Sequence, residues 1–243
     1  MISVILNVYK RPYTLETQIA AIKNQSIPIK SEDIHIWYND VEGLDQPSPI
    51  DKSIKTYRCS WNTKFFGRFT VPLMCRTPFI AMFDDDVVPG RDWLKNCMET
   101  IKTHNGILGS SGIVVHGKSY RPNTVVGWNG LHGRTPARVD LVGHGWFFRK
   151  EWAKFMWLEE PVSWDNGEDM FFSYMAQKNG ITTFVPPHPE DNQEVWGNVP
   201  SLDNDWGLDR NAHSHASANH IPLRNKIVST LIDKGWNTIK KTR

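Results

Sequence analysis

The sequence predicts an α/β protein built on a mostly parallel, Rossmann-like sheet flanked by helices. Over the first two-thirds of its 243 residues, short apolar runs alternate with helical patterns, which is typical of βαβ units. Polar clusters follow several of the apolar runs, and ligands in open α/β sheets bind beyond the carboxyl ends of the strands. We therefore expect a binding site at those strand ends.

The N-terminal elements follow from apolar spacing and helix-capping residues. Ser3 to Asn7 is predicted to be the first strand. A helix is predicted from Thr14 to Asn24, because Thr14 is a favourable N-cap and the apolar residues after it recur on one face. The same reasoning predicts strands at Ile34 to Trp37, Ile54 to Arg58 and Pro78 to Met82, and helices at Lys64 to Cys75 and Asp92 to His104.

The second half of the chain has a less regular pattern. We predict a helix at Gly167 to Asn179, ended by Gly180, and a terminal helix at Ile221 to Trp236. Pro186 to Asn211 is predicted to be a long loop, and loops of that length are usually functional. Strands are predicted near Ile107 to Val115, Thr124 to Trp128 and Asp140 to Phe148.

Composition limits the class of protein. Hydrophobic residues make up 40% and charged residues 22%, close to the soluble globular average, and a net charge of +2 does not by itself indicate a polyanionic partner. No apolar run approaches the roughly 20 residues that cross a bilayer, and no signal peptide follows Met1. The three cysteines lack metal or redox spacing, so we expect reduced thiols in a cytoplasmic protein.

The run Asp84-Asp85-Asp86 is the strongest single indication of chemistry. Three carboxylates at the end of a buried strand repel one another and lose hydration, so a neutralising cation is expected beside them. Mg²⁺ and Mn²⁺ prefer oxygen ligands and commonly bridge carboxylates to a substrate phosphate. The alternative is a solvated acidic turn that follows a strand.

A second acidic group opens the predicted helix at Gly167 to Asn179. Asp165, Glu168 and Asp169 lie within five residues and are flanked by Trp164 and a pair of phenylalanines. Acids in a first helical turn are ordinary, since free N–H groups and the helix dipole favour them. A carboxylate beside apolar bulk can also have its pKa raised towards the range of a general base. Both interpretations stay open at this point.

Basic residues and histidines complete the candidate ligand set. The sequence has no Gly-rich phosphate loop, so a diphosphate would be held by metal and by basic side chains. The basic candidates are Lys10, Arg11, Lys64 and Arg68. A lone His is usually structural, but a cluster beside a long loop fits a late metal ligand. The cluster consists of His213, His215 and His220.

The order of these motifs carries a resemblance to a known family. The motifs are Asn7 to Arg11, Trp37 to Asp40, Arg68, the DXD-type run Asp84 to Asp86, Gly143 to Gly145, Glu168-Asp169 and a late His. In this order the chain resembles a GT-A glycosyltransferase over roughly Ile2 to Lys234. It is similar to the family-2-like enzymes, including compact phage and bacterial ones, with some exostosin-type character in the spacing of the aspartates.

The resemblance implies a GT-A fold and a set of donor contacts. Residues 1–243 would form one domain, with a nucleotide-sugar-binding part at 1–105 and a smaller acceptor-binding and catalytic part at 106–243. The cofactor would be Mn²⁺ or Mg²⁺, held by Asp86, with His213 or His215 completing its shell. Asn39 or Asp40 would contact the base, Arg68 the base or ribose, and Asp84 the ribose, while Val8, Tyr9, Arg11 and Asp85 would complete the nucleotide site.

The resemblance also implies a reaction. The chain would be a metal-dependent glycosyltransferase that moves a hexose or pentose from a nucleotide sugar, with UDP the expected nucleotide, to an acceptor hydroxyl. Asp169 would be the general base, with Glu168 nearby on the acceptor side. No nucleophile is identifiable on the far face of the donor, which favours inversion, whereas the exostosin-type character keeps retention open.

Three alternatives for the function stay open in the sequence. The expected acceptor is a glycan or a lipid-linked sugar. A phage enzyme acting on a hydroxymethylated DNA base would need a basic face and base flipping. A non-catalytic module that only binds nucleotide sugars would keep the fold without turnover.

Overall fold

One mixed sheet organises the described residues, which are 1–40, 48–200 and 218–239 of a computed structural model. Its N-terminal half is parallel. The strand β1 (Ile2–Val8) lies between β2 (Ile34–Tyr38) and β4 (Phe79–Phe83), and β3 (Lys55–Arg58) pairs with β2. The side chains of β1 between residues 4 and 6 are fully buried, so helices and loops cover this strand on both faces.

Antiparallel pairs, together with one parallel pair, extend the sheet through the second half of the chain. Its strands are β5 (Gly106–Val115), β6 (Asn123–Gly127), β7 (Ala137–Val139), β8 (Leu141–Arg149) and β9 (Thr182–Val185). The sheet order is β3-β2-β1-β4-β8-β5-β9-β7, and β6 pairs with β5. The parallel pair is that of β5 with β9. The antiparallel contact between β4 and β8 joins the two halves, because it places the carboxyl end of β4 beside the middle of β8.

Helices flank this sheet, and their positions largely match the sequence pattern. They are α1 (Leu15–Lys23), α2 (Val71–Met74), α3 (Trp93–Thr103), α4 (Glu168–Lys178) and α5 (His220–Asp233). The predicted α/β class, with a sheet flanked by helices, is confirmed. No helix among the described residues has the length and apolar character that a membrane span requires.

The helix predicted at Lys64 to Cys75 was wrong in its length. Lys64 has a φ of +54°, outside the helical region, and only a 3-10 turn at Gly67–Thr70 and the single-turn α2 form there. Pro72 cannot donate a helical hydrogen bond, which limits any longer helix. Sequence reasoning also missed β7, β9 and the 3-10 segment Lys150–Trp157, because such short elements carry little periodicity.

Candidate active site

A cavity of about 800 Å³ lies at the carboxyl ends of β1, β2 and β4 and continues along β5 and β8. Most of the residues proposed from the sequence line it. On the side of the N-terminal strands these are Tyr9, Arg11, Asn39, Arg68 and Asp84 to Asp86, and on the opposite side Glu168 and Asp169. Two acidic groups far apart in the sequence therefore face one space, of a size that accommodates a small-molecule ligand.

Four predicted site residues do not contribute to the described wall of the cavity. Val8 is buried in β1, and neither Val8 nor Asp40 is among the described residues that line the space. His213 and His215 lie outside the described residues. The roles expected for these four residues stay predictions.

The three consecutive aspartates have different surroundings. Asp85 is buried and its Oδ1 accepts a hydrogen bond of 2.8 Å from Arg11 Nη1, while the Thr14 hydroxyl donates to its carbonyl oxygen. Burial, followed by the charge of Asp86, raises the pKa of Asp85 to about 7, against the opposing effect of Arg11. Asp85 is thus held within the wall, and Asp84 and Asp86 are the acids more accessible from the cavity.

Asp84 and Asp86 form a possible cation site with a residue that sequence reasoning did not assign. One carboxylate oxygen from each aspartate and one ring nitrogen of His144 lie within 4.8 Å of one another. Two carboxylates and an imidazole form a donor set that suits Mn²⁺, and Mg²⁺ when water and phosphate complete its shell. The residues present therefore fit the divalent cation expected from the sequence.

A β-bulge brings His144 to this position. Gly109 pairs with Trp146 and Ser111 with Gly143, so two residues of β8 stand opposite one residue of β5. His144 is one of these two residues and has a φ of +64°, a strained value for a residue other than glycine. Bulges redirect side chains and often occur beside active sites, and here the bulge turns an imidazole towards Asp84, with Nδ1 and Oδ2 4.0 Å apart.

Arg68 connects the two acidic groups. It lies in the 3-10 turn at Gly67–Thr70 and is almost completely buried, with Nη1 in contact with Asp84 Oδ1 and Nη2 3.1 Å from Glu168 Oε1. Its guanidinium also lies 4.8 Å from the centre of the Trp146 ring. One cation therefore fixes the distance between the aspartate cluster and the start of α4, and it supplies the partners that a buried arginine requires.

Glu168 is a buried acid with an unusual protonation equilibrium. Burial, followed by the charge of Asp169, raises its pKa to about 7, although Arg68 opposes the shift. A carboxyl group with a pKa near neutrality can exchange protons at physiological pH, which is a property of general acids and bases. The raised pKa of Glu168 is in the direction of the general-base interpretation, one of the two that the sequence leaves open for this helix start.

Asp169 is held by Arg224, a residue that sequence reasoning missed. Arg224 Nη2 lies 2.6 Å from Asp169 Oδ2, and Nη1 lies 3.2 Å from Oδ1. The signal was present in the sequence, because positions 224, 227, 228 and 231 share one face of the terminal helix and the last three are apolar. A charged residue on a buried helix face needs a partner, and Asp169 is that partner.

Asparagines organise the far end of the cavity, beyond β2. Asn39 Nδ2 donates to Asn62 Oδ1 at 2.9 Å, and the backbone N–H of Thr63 donates to Asn39 Oδ1 at 2.9 Å. Asn62 in turn donates to the Tyr9 hydroxyl at 2.9 Å. Asn39 thus anchors the segment after β3 at the end of β2, and Asn62 joins the same segment to the end of β1. Sequence reasoning also missed Asn62, which lines the cavity wall.

Comparisons with known proteins identify the fold. No family model and no curated protein sequence matches this chain. Among solved structures, it is similar to a mannosyltransferase, PcManGT from Pyrobaculum calidifontis in complex with GDP-Man and Mn²⁺, with 17% identity and a TM-score of 0.52 over 79% of this chain and 58% of that one. It is also similar to S. aureus TarS 1-349 in complex with UDP-GlcNAc, with 16% identity and a TM-score of 0.51 over 82% of this chain and 61% of that one.

These similarities show a GT-A-like glycosyltransferase fold and confirm the fold type expected from the sequence. The chain spans about three-fifths of the length of these two solved structures. At 15–17% identity the comparisons concern the fold alone.

Proposed function

We propose that this chain is a metal-dependent glycosyltransferase that moves a sugar from a nucleotide-sugar donor to an acceptor hydroxyl. The observation that carries the proposal is the placement of two chemically different acid groups across one cavity. Asp84 and Asp86 with His144 fit a divalent cation, and Glu168-Asp169 stands opposite as a buried acid pair. Transfer of a sugar from a nucleoside diphosphate to a hydroxyl needs one group that stabilises the leaving diphosphate and another that accepts the proton of the hydroxyl, and these two sites match those needs.

The N-terminal side of the cavity is proposed to bind the donor. Asn39, Asn62 and Tyr9 form a linked hydrogen-bonding wall that suits the base of a nucleotide. Lys10 and Lys64 also line the cavity and supply positive charge for the diphosphate. The solved structures with UDP-GlcNAc and GDP-Man support a nucleotide-sugar donor, and we propose a UDP-sugar.

The cation is proposed to be held by Asp84, Asp86 and His144, with Mn²⁺ or Mg²⁺ as the candidates. A bound divalent ion would neutralise the charge that develops on the leaving nucleoside diphosphate. Arg68 holds Asp84 in place through its contact with Oδ1 and orients Glu168 with its second nitrogen. In this proposal the buried Arg68 sets the distance between the leaving-group side and the acceptor side of the cavity.

The opposite side is proposed to bind the acceptor and accept its proton. Asp169 is the proposed general base and Glu168 its neighbour. Tyr120, Trp128 and Ile221 line this side of the cavity and offer apolar and aromatic surface suited to a sugar ring. We propose a glycan or lipid-linked sugar as acceptor and inversion by direct displacement as the stereochemical course.

The experiment is a comparison of sugar transfer and donor binding in the parent and Asp169→Asn. Transfer from UDP-sugars with Mn²⁺ should fall by at least about 10²-fold, the effect typical of losing a general base. Donor affinity by calorimetry should stay within about twofold, since Asp169 serves the acceptor in this proposal.

The outcomes of this experiment separate the alternatives. Near-parental transfer by Asp169→Asn would remove Asp169 from the mechanism and leave Glu168 as the next candidate. A parent that binds donor and metal but neither transfers nor hydrolyses it would support the non-catalytic module. Transfer to DNA containing a hydroxymethylated base, without transfer to glycans, would support the DNA-modifying enzyme.

A further inference from the structure

The ion pair between Asp169 and Arg224 spans two elements that are distant in the sequence. Asp169 lies in the first turn of α4, and Arg224 lies in the first half of α5. The side chains are 11% and 8% exposed, and both line the cavity. The pair is therefore a charged contact between two helices, located within the proposed acceptor region.

The contacts leave Asp169 little rotational freedom. Its Oδ1 accepts from the backbone N–H of Met170 at 2.8 Å and from Arg224 Nη1, while Oδ2 accepts from Arg224 Nη2. A bidentate guanidinium fixes both the position and the plane of a carboxylate. Each oxygen has two lone pairs, and among the contacts of the described residues Oδ2 accepts only one hydrogen bond, so it retains capacity for an acceptor hydroxyl.

Two further contacts, besides the one with Asp169, hold Arg224 in place. Its Nη1 also donates to Asn166 Oδ1 at 3.0 Å, and its guanidinium lies 4.3 Å from the centre of the Tyr120 ring. The amide belongs to the loop before α4, and the ring belongs to the loop before β6. Three segments thus determine where the guanidinium lies, which is the arrangement expected of a group that orients another.

We propose that Arg224 is the positioning residue of the reaction described above. It holds the carboxylate of Asp169 in the orientation in which Oδ2 meets the acceptor hydroxyl, and it does so from α5. This inference rests on the proposed function, in which Asp169 is the base. It adds that the placement of the C-terminal helix determines the rate of the chemical step without contributing to donor binding.

The test uses the full chain and compares Arg224→Met, Arg224→Lys, Asp169→Asn and the double variant Arg224→Met/Asp169→Asn. Lys226→Met is the matched control, because Lys226 is an exposed cation two positions along the same helix. The measured quantities are kcat and KM for transfer, the donor Kd by calorimetry in the presence of Mn²⁺, and the melting temperature of each variant.

Arg224→Met should lower kcat by about 10-fold to 10²-fold, since a misplaced catalytic group costs on that order, with the donor Kd within about twofold of the parent. Arg224→Lys should recover part of the loss, because it keeps the charge and loses the bidentate geometry. The kcat of the double variant should be no lower than that of Asp169→Asn alone, because the effects of substituting two residues that act as one unit do not add.

Three results would overturn the inference: a kcat for Arg224→Met equal to that of Lys226→Met, losses that add in the double variant, or an equal loss of donor affinity. If Arg224→Met does not fold because Asp169 is left unpaired, the double variant, which removes both charges, and Arg224→Lys still decide the question. A parent without transfer activity would contradict the proposed function itself. An active parent would contradict the inference alone if Arg224→Lys had the kcat of the parent and the kcat of the double variant matched that of neither single variant.

Discussion

Arginine side chains organise the acids of this cavity, and each arginine contacts a different set of acids. Arg11 holds Asp85 in the wall, Arg68 joins the aspartate cluster to Glu168, and Arg224 holds the neighbouring Asp169. Removing one partner of a buried pair leaves an uncompensated charge, which costs on the order of 3–5 kcal/mol. The adjacent acids at the start of α4 are therefore held by two arginines that are far apart in the sequence, Arg68 and Arg224.

The raised pKa of Glu168 predicts a pH-dependent contribution to stability. Its folded pKa of about 7 lies above the ordinary value of 4.5, so the folded state holds a proton that the unfolded state has lost between those two values. The free energy of unfolding contributed by this group therefore falls as the pH rises from about 4.5 to 7.

Glu168→Gln should remove this contribution, because the amide does not titrate. The free energy of unfolding of the variant minus that of the parent should therefore be about 1–3 kcal/mol larger at pH 8 than at pH 5. Urea denaturation of both proteins at both pH values measures this difference. An identical pH dependence in the two proteins would show that the pKa of Glu168 is not raised.

At the scale of elements, the turn before α4 is built for close packing. Gly167 has a φ of +88°, and a Cβ at this position would lie 2.6 Å from Ile227 Cδ1 in α5. A side chain here would meet both backbone strain and a close contact with the Ile227 side chain, on the helix that carries Arg224. The glycine thus allows α4 and α5 to approach and their charged residues to meet.

Gly167→Ala should destabilise the fold and also slow transfer, because the added Cβ strains the backbone next to Asp169 and the buried Ile227 side chain of α5 must shift to make room. We expect a loss of about 2–4 kcal/mol in the free energy of unfolding, measured by urea denaturation. The control is Gly180→Ala, because Gly180 has a φ of +79° and open space around the added Cβ. This variant carries the backbone strain alone, and its free energy of unfolding should fall by about 1 kcal/mol. Equal losses in the two variants would show that the contact with Ile227 is unimportant.

A stack of aromatic rings fastens the segment after β9 to the rest of the protein. The rings of His188 and Trp196 are parallel with centres 4.3 Å apart, and His132 Nδ1 lies 3.0 Å from His188 Nδ1. Burial, followed by the neighbouring His132, lowers the pKa of His188 to about 4 from its ordinary 6.5. His188 is therefore neutral in this stack at physiological pH.

This stack predicts a loss of stability in acid. Between pH 6.5 and pH 4 the unfolded state binds a proton at position 188 that the folded state does not, so stability falls as the pH decreases through this window. His188→Phe keeps a ring and removes the titration. When the pH is lowered from 7 to 4, the free energy of unfolding of this variant should fall by up to about 3 kcal/mol less than that of the parent. Urea denaturation at both pH values measures this difference, and equal losses would contradict it.

At the scale of the whole molecule, the antiparallel pairing of β4 with β8 brings the two halves of the site together. The backbone N–H of Asp84 donates to the carbonyl oxygen of His144 at 3.0 Å, so the sheet itself sets the spacing of the possible cation ligands. A ligand that binds across these strands binds only the folded chain. Its binding should therefore stabilise the folded chain against unfolding.

Asp86→Asn should abolish the stabilisation of the parent by UDP with Mn²⁺. In the parent, ligand at 100 times its Kd should raise the free energy of unfolding by about 2.7 kcal/mol, seen as an increase in melting temperature. Asp233→Asn, at an exposed acid outside the cavity lining, is the matched control and should respond as the parent does. An increase in Asp86→Asn equal to that of the control would exclude Asp86 as a main ligand.

Much of this organisation could be predicted from local sequence. Alternating apolar runs and helical patterns predicted the α/β class, and the helix pattern after Gly167 predicted α4 to within one residue at each end. The acids Asp84 to Asp86 and Glu168-Asp169 stood out because charge next to a buried element requires an explanation. These signals are local, since each depends on residues within a few positions of one another.

The partners of those acids were decided only by the tertiary structure. His144 reaches Asp84 because of a bulge between β5 and β8, and Arg224 meets Asp169 across 55 positions of sequence. A linear pattern shows that a buried charge needs a partner, but not which one, because the choice depends on strand order, register and helix packing. The sequence by itself therefore determined the class of fold and singled out the acids that line the cavity, while the packing of distant segments decided which basic side chain each acid meets.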